Sequence, residues 1–221
     1  MLVASGKIAA TVLTGSGMHD AASAKLIVEE CKKQGKISSI HVAESESNQI
    51  ESLNDFGISE IGMGVESGFD QLVHLTNPKG KDLSSVASSN QNVVVCPRAN
   101  AALNVGVAPL NKMLELGIKP LLGSDNVMLN SPNMLRELEF SLKIMAVCYK
   151  RYINPVDLVK MATTNICESN INCIVKKAVI LENNFAEFII VKSFSKNPYL
   201  NICNRLETKD ILSIINKRIN I

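Results

Sequence analysis

Apolar and polar positions along the 221 residues fall into two alternating kinds of segment. Short continuous apolar runs are those of strands buried on both faces, and stripes at i, i+3, i+4 and i+7 are those of amphipathic helices. Ile8-Ala9-Ala10-Thr11-Val12-Leu13 is a run of the first kind, ended by Gly15-Ser16-Gly17. Ala24, Ile27, Val28 and Cys31 then make a helical stripe, with Lys32 and Lys33 at the negative end of its dipole and Gly35 past its end. Further strands are expected at Ile37 to Ala43, Gln71 to Leu75, Asn92 to Cys96 and Lys119 to Gly123. Helices are expected at Asp82 to Ser89 and Pro109 to Leu116. Strands alternating with helices predict an α/β fold with a parallel sheet.

Two longer helices follow. Ser131-Pro132 is read as N-cap and first residue of one, with Leu135, Leu138, Leu142, Met145 and Tyr149 on a single seam. Asn154-Pro155 opens another, expected to run to about Glu168. After Asn170 the runs shorten (Cys173 to Val175, Ala178 to Leu181, Ala186 to Val191), and an Asn/Lys/Ile-rich tail follows. The organisation expected is one α/β unit over residues 1–170 and a small β appendage with its tail over 171–221. The strands before residue 125 suit an open sheet or an arc of a (β/α)8 barrel, which needs eight strands and about 250 residues.

Composition narrows the function classes. Hydrophobic residues make up 46%, enough for a sizeable core, and a net charge of +2 provides no polyanion bait. Aromatics are 4% with no Trp, so a base-stacking surface and a nucleic-acid partner are not expected. No apolar run approaches the roughly 20 residues that span a bilayer, and the N-terminal segment has no basic n-region, so no membrane partner is expected. The six Cys are scattered without a Cys-x-x-Cys pair, which points to reduced thiols and a cytoplasmic setting.

Chemistry-bearing residues fall at strand C-terminal ends, the rim where parallel α/β folds build sites. His41 and Glu44 close the second strand, His74 the third, Cys96-Pro97-Arg98-Ala99-Asn100 the fourth, and Gly123-Ser124-Asp125-Asn126 the fifth. Singly, each has a bland reading. A histidine in an apolar strand is usually a satisfied core or rim residue, an Asp after Gly-Ser is more often a turn or cap, and Arg98 is a solvated loop cation. Their concurrence at successive strand ends favours a site. His19, beside Asp20 at a helix start, reads as a capping or surface residue. Other chemistries lack their motifs: His41-x-x-Glu44 is not the His-x-Glu of nucleobase deaminases, Cys96 has no Pro-Cys-x-x-Cys, and there is no P-loop, dinucleotide fingerprint or nucleophile elbow.

His41-Val42-Ala43-Glu44, Val73-His74, Cys96-Pro97-Arg98-Ala99-Asn100 and Leu122-Gly123-Ser124-Asp125-Asn126, in that order, resemble the last barrel strands of the amidohydrolase superfamily. The closest branch is that of cytosine, guanine and adenosylhomocysteine-type deaminases and chlorohydrolases. Ala162-Thr163-Thr164-Asn165 is similar to the helix segment after the last strand there, and the resemblance spans about Ile8 to Glu168. It implies a partial (β/α)8 TIM barrel, about strands four to eight with their helices, plus a small C-terminal β appendage. It implies a metal-dependent hydrolase acting on a non-peptide C–N bond of a small cyclic amidine or nucleobase-like substrate, with zinc or iron. His41 and Asp125 would be metal ligands, Glu44 would shuttle a proton to the ring nitrogen, His74 would orient the attacking water, and Asp125 would also accept its proton. The family's strand-one His-x-His pair has no counterpart in the sequence. That implies completion by an N-terminal half in trans or by homo-oligomerisation; the alternative is an inactive truncated fragment or an interaction module.

Overall fold

A computed structural model of the chain describes residues 10–13, 21–169 and 185–218. Strands β1 (Ala10–Leu13), β2 (Ile37–Val42), β3 (Gln71–His74), β4 (Asn92–Val95) and β5 (Leu121–Leu122) form one sheet, in chain order and parallel throughout. The fold is therefore α/β with a parallel sheet. Between the strands run α1 (Ala21–Lys33), α2 (Glu46–Phe56), α3 (Glu60–Ser67), α4 (Asp82–Ala87), α5 (Pro97–Ala102) and α6 (Leu110–Glu115); α7 (Met134–Tyr149) and α8 (Pro155–Ala162) follow. Ile40, Val42, Leu72, Val93 and Val95 of the sheet pack in one core with Val28, Ile61, Met113, Leu142 and Leu158 of the helices. Removing these side chains from water, at about 1.5–3 kcal/mol for each large one, is the main force holding helices to sheet.

Local chemistry explains the element boundaries. Ser45 Oγ accepts the Asn48 N–H to open α2, and Gly57 closes it at φ 68°, a conformation that costs glycine nothing. Helix α7 starts two residues later than Ser131-Pro132 suggests, because Asn133 is the cap: its side chain accepts the Arg136 N–H. Its seam is buried at Leu138, Leu142 and Met145, while Tyr149 is exposed and donates to the Val107 carbonyl. Helix α8 begins after Asn154 as expected but stops at Ala162 rather than near Glu168. Thr163 turns its hydroxyl back to the Val159 carbonyl, and a 3-10 segment, Thr164–Glu168, continues.

Helix α2 carries no apolar stripe that would announce it. The inward positions of α2 are Gln49 and Ser52. Helix α3 contains two glycines, and a Cβ on Gly64 would stand 2.8 Å from Leu72 Cδ2, so the residue lets the helix lie close on β2 and β3. Beyond α8, β6 (Phe185–Val191) and β7 (Ile211–Arg218) pair antiparallel as a separate two-stranded sheet, and α9 (Pro198–Asn204) packs on α7 and α8 with Cys203 buried in the main core. Ala186 to Val191 lies within β6 as the pattern indicates, and the tail holds a helix and a strand. Ile8, Ala9, Gly15 to Gly17, His19 and the runs Cys173 to Val175 and Ala178 to Leu181 lie outside the described residues. Among those described, no helix is long and apolar enough to cross a membrane.

Candidate metal centre

Parallel strands end on a common rim, and that rim collects the polar residues of this chain. His41 is the penultimate residue of β2, Glu44 lies just beyond its end, His74 is the last residue of β3, and Asp125 follows β5. The structure brings all four together. His74 Nε2 stands 3.1 Å from His41 Nδ1, 3.7 Å from Glu44 Oε2 and 4.0 Å from Asp125 Oδ2, and His41 Nδ1 is 3.9 Å from Glu44 Oε2. The two imidazole rings meet edge to face, centroids 4.7 Å apart at 72°.

Backbone twists at the strand ends achieve this convergence. Ala43, His74, Leu75 and Asp125 all have positive φ (49°, 79°, 50° and 59°). Such conformations cost a residue with a Cβ about 1–3 kcal/mol each and gather where a site over-determines them. His74 is opposite Val42 in the sheet register, and Val42 packs toward α3. Strict alternation would send His74 to the same side. The left-handed pair His74-Leu75 re-aims the ring, which meets His41 instead. At Asp125 the side chain turns back to accept the Asn126 N–H at 2.7 Å.

The electrostatics are those of a half-buried anionic pocket. Burial lowers the His74 pKa, against the pull of Glu44 and Asp125, so the fully buried ring is neutral at neutral pH. The neighbouring His41 holds the Glu44 carboxyl below the usual carboxylate range, against partial burial. Glu44 and Asp125 are faced by imidazoles, and no Lys or Arg among the described residues stands within ion-pairing distance of either. Two sets of donor atoms lie within 4.8 Å of one another: His41, Glu44 and His74, and His74, Cys96 and Asp125. Imidazole nitrogen, carboxylate oxygen and a sulfur make a donor set that suits a borderline divalent cation such as zinc.

A model of the amidohydrolase family matches residues 10–211. The chain belongs to the amidohydrolase family. Among its relatives, a protein of Methanothermobacter thermautotrophicus, provisionally named an aminohydrolase, is 47% identical over 204 residues, 92% of this chain and 52% of its own length. A 5-methylthioadenosine/S-adenosylhomocysteine deaminase of Pyrococcus furiosus is 29% identical over 171 residues, 73% of this chain and 39% of its own. The chain thus spans about half the length, or less, of these relatives. An adenosine deaminase of Xanthomonas campestris with bound zinc superposes with a TM-score of 0.80 at 13% identity, covering 94% of this chain and 49% of that one. A variant atrazine chlorohydrolase of Arthrobacter aurescens TC1, complexed with zinc and atraton, superposes at 0.76 with 14% identity, covering 94% and 48%. These likenesses establish the fold.

Three features of this rim escape a reading of the sequence. Asn100 lies inside the quoted motif, yet its role appears only in three dimensions: its Oδ1 accepts His74 Nδ1–H at 2.8 Å, and its Nδ2 donates to Thr76 Oγ1 at 3.0 Å. Arg98 is no solvated loop cation. It lies within α5, its side chain only 14% exposed, paired at 3.1 Å with the fully buried Glu137 and bonded to Asn130 Oδ1 and the Ser131 carbonyl. Arg98 thereby ties α5 to the loop that follows Asp125. Third, a buried polar network joins α2, α3 and α4 behind Glu44. Gln49 accepts the Glu60 N–H and donates to Asp82, and Ser59 donates to the other Asp82 oxygen. The inward polar positions that hid α2 are thus the ones that brace the rim.

Proposed function

We propose that this chain carries one side of a metal-dependent hydrolase site that deaminates a small cyclic amidine or nucleobase-like substrate, and that β1 to β5 are about strands four to eight of a (β/α)8 barrel. The observation that carries this reading is the convergence of His41, Glu44, His74 and Asp125 at one rim. In the same reading, residues 171–221 form a small β appendage with its tail. His41 and Asp125 would hold the metal, zinc by donor type, and a bound cation lowers the pKa of a water toward about 7.

The other steps belong to the protein. His74 donates Nδ1–H to Asn100, which leaves Nε2 as an acceptor turned to the site; it faces His41 Nδ1 at 3.1 Å, and would orient the attacking water once His41 holds the metal. Glu44, its carboxyl kept ionised by the neighbouring His41, takes one proton from that water and delivers it to a ring nitrogen. Asp125 takes the second and passes it to the departing nitrogen. The water oxygen bonds to ring carbon as the C–N bond breaks, and ammonia leaves.

Catalytic zinc usually takes three protein ligands plus water, and the sequence has three histidines with no His-x-His. Further ligands would come from outside these 221 residues, in the same polypeptide, in trans or from a second copy. Deaminase names among the relatives favour adenosine-like substrates. The test is to co-express the chain with the N-terminal half of the Methanothermobacter relative, add zinc, and follow ammonia release from adenosine, S-adenosylhomocysteine and guanine. Release that disappears in Glu44→Gln supports the reading. A folded complex that holds zinc yet releases no ammonia from any of the three overturns the deaminase assignment.

A further inference from the structure

We infer that Glu60, far from the strand ends in sequence, is a positioning residue whose buried carboxylate locks Ala43 in its left-handed conformation and so aims Glu44 at the His41–His74 pair. The inference rests on the proposed reading of Glu44 as a working group. Ala43 sits between His41 and Glu44, and its φ of 49° turns the chain back over the rim where a continuing strand would carry Glu44 away.

Both peptide groups of Ala43 are pinned. Its N–H is donated to Glu60 Oε2 at 2.7 Å, and its carbonyl accepts the N–H groups of Thr76 and Asn77, each at 3.0 Å. The next carbonyl, that of Glu44, accepts Asn77 Nδ2 at 2.9 Å. The strand-side bonds come from the backbone after β3, whereas the N–H bond depends on one side chain.

That side chain is itself held rigidly. Glu60 opens α3 behind the cap Ser59, and its own N–H is donated to Gln49 Oε1 at 2.8 Å. Gln49 is locked in turn by Asp82 and the Asn77 carbonyl, at 2.8 and 3.2 Å. Glu60 is 4% exposed, and no cation among the described residues pairs with it. An unpaired carboxylate in an apolar interior is costly, and a residue needed only for packing would be apolar. The carboxylate recovers part of that cost at the Ala43 N–H, a charge-assisted bond stronger than a neutral one.

Two measurements on the full chain test this. Crystal structures of Glu60→Ala and of Glu60→Leu, which keeps the bulk and sheds the charge, should show Ala43 leaving positive φ and the Glu44 carboxylate withdrawn from His74. Glu60→Gln, which retains an acceptor, should leave both in place. Zinc affinity, by competition with a chromophoric chelator, should fall about tenfold or more in Glu60→Leu, because the Glu44 carboxylate beside His41 and His74 adds its negative charge to the field that would hold the cation. It should fall no further when Glu60→Leu is added to Glu44→Ala, whereas a residue acting through overall stability would add its loss in either background. Unchanged Ala43 and Glu44 geometry in whichever acceptor-free variant folds, or additive losses, overturns the inference. Absence of zinc binding by the wild-type chain counts against the proposed metal site instead, and the crystal structures still decide the role of Glu60.

Discussion

His74 and His41 face each other through ring nitrogens, Nε2 to Nδ1 at 3.1 Å, and Asn100 decides which of the two donates. With Asn100 Oδ1 accepting from His74 Nδ1, the His74 Nε2 is an acceptor, so His41 supplies the Nδ1–H between the two rings. Replacing Asn100 by Leu removes that assignment and takes away the partner of His74 Nδ1 and of Thr76 Oγ1, both buried. Zinc affinity is expected to drop about 10–100-fold and stability by about 1–3 kcal/mol. Chelator competition and urea melts measure the two. An N100L chain with wild-type zinc affinity would show that the tautomer of His74 does not matter.

The Arg98–Glu137 pair predicts a lopsided mutational response. Arg98→Ala leaves Glu137, at 0% exposure, as an uncompensated buried charge, and should cost about 3–5 kcal/mol. The double replacement R98M/E137L removes both charges and should lie near wild type or above it. Urea denaturation reads both. If the single and double variants lose the same amount, the pair is not what holds α5 against α7.

Glu60 gives stability a definite pH signature. Burial raises its carboxyl pKa, opposed by the Ala43 N–H. Because the folded value lies above the unfolded one, its favourable contribution is complete below the ordinary 4.5 and is lost as pH rises through the folded value. Glu60→Gln cannot titrate, so the stability of E60Q minus that of wild type should grow as pH climbs from about 4.5, then level off. Chemical denaturation at a series of pH values checks it, and curves that stay parallel would contradict the assignment.

Apolar periodicity reports the parallel strands, α1, α7 and the start of α8, because those elements bury hydrophobic side chains. It is blind where the buried face is polar: α2 turns Gln49 and Ser52 inward. The rim residues stand out because four chemistry-bearing side chains close successive strands. Their orientation does not, since strict alternation would put His74 on the Val42 side. Only the left-handed pair His74-Leu75 brings its ring to His41. Partners remote in sequence are equally invisible there: Glu137 makes Arg98 a buried tie, and Glu60 reaches back to Ala43.

Where a cation binds decides whether this rim is a metal centre. Anomalous scattering at the zinc edge, recorded from crystals of this chain grown with zinc, should show a peak at the rim contacted by His41 and Asp125, and lost in the His41→Ala and Asp125→Ala variants. Well-diffracting crystals with no peak among His41, Glu44, His74 and Asp125, or with zinc only at surface sites, would contradict it.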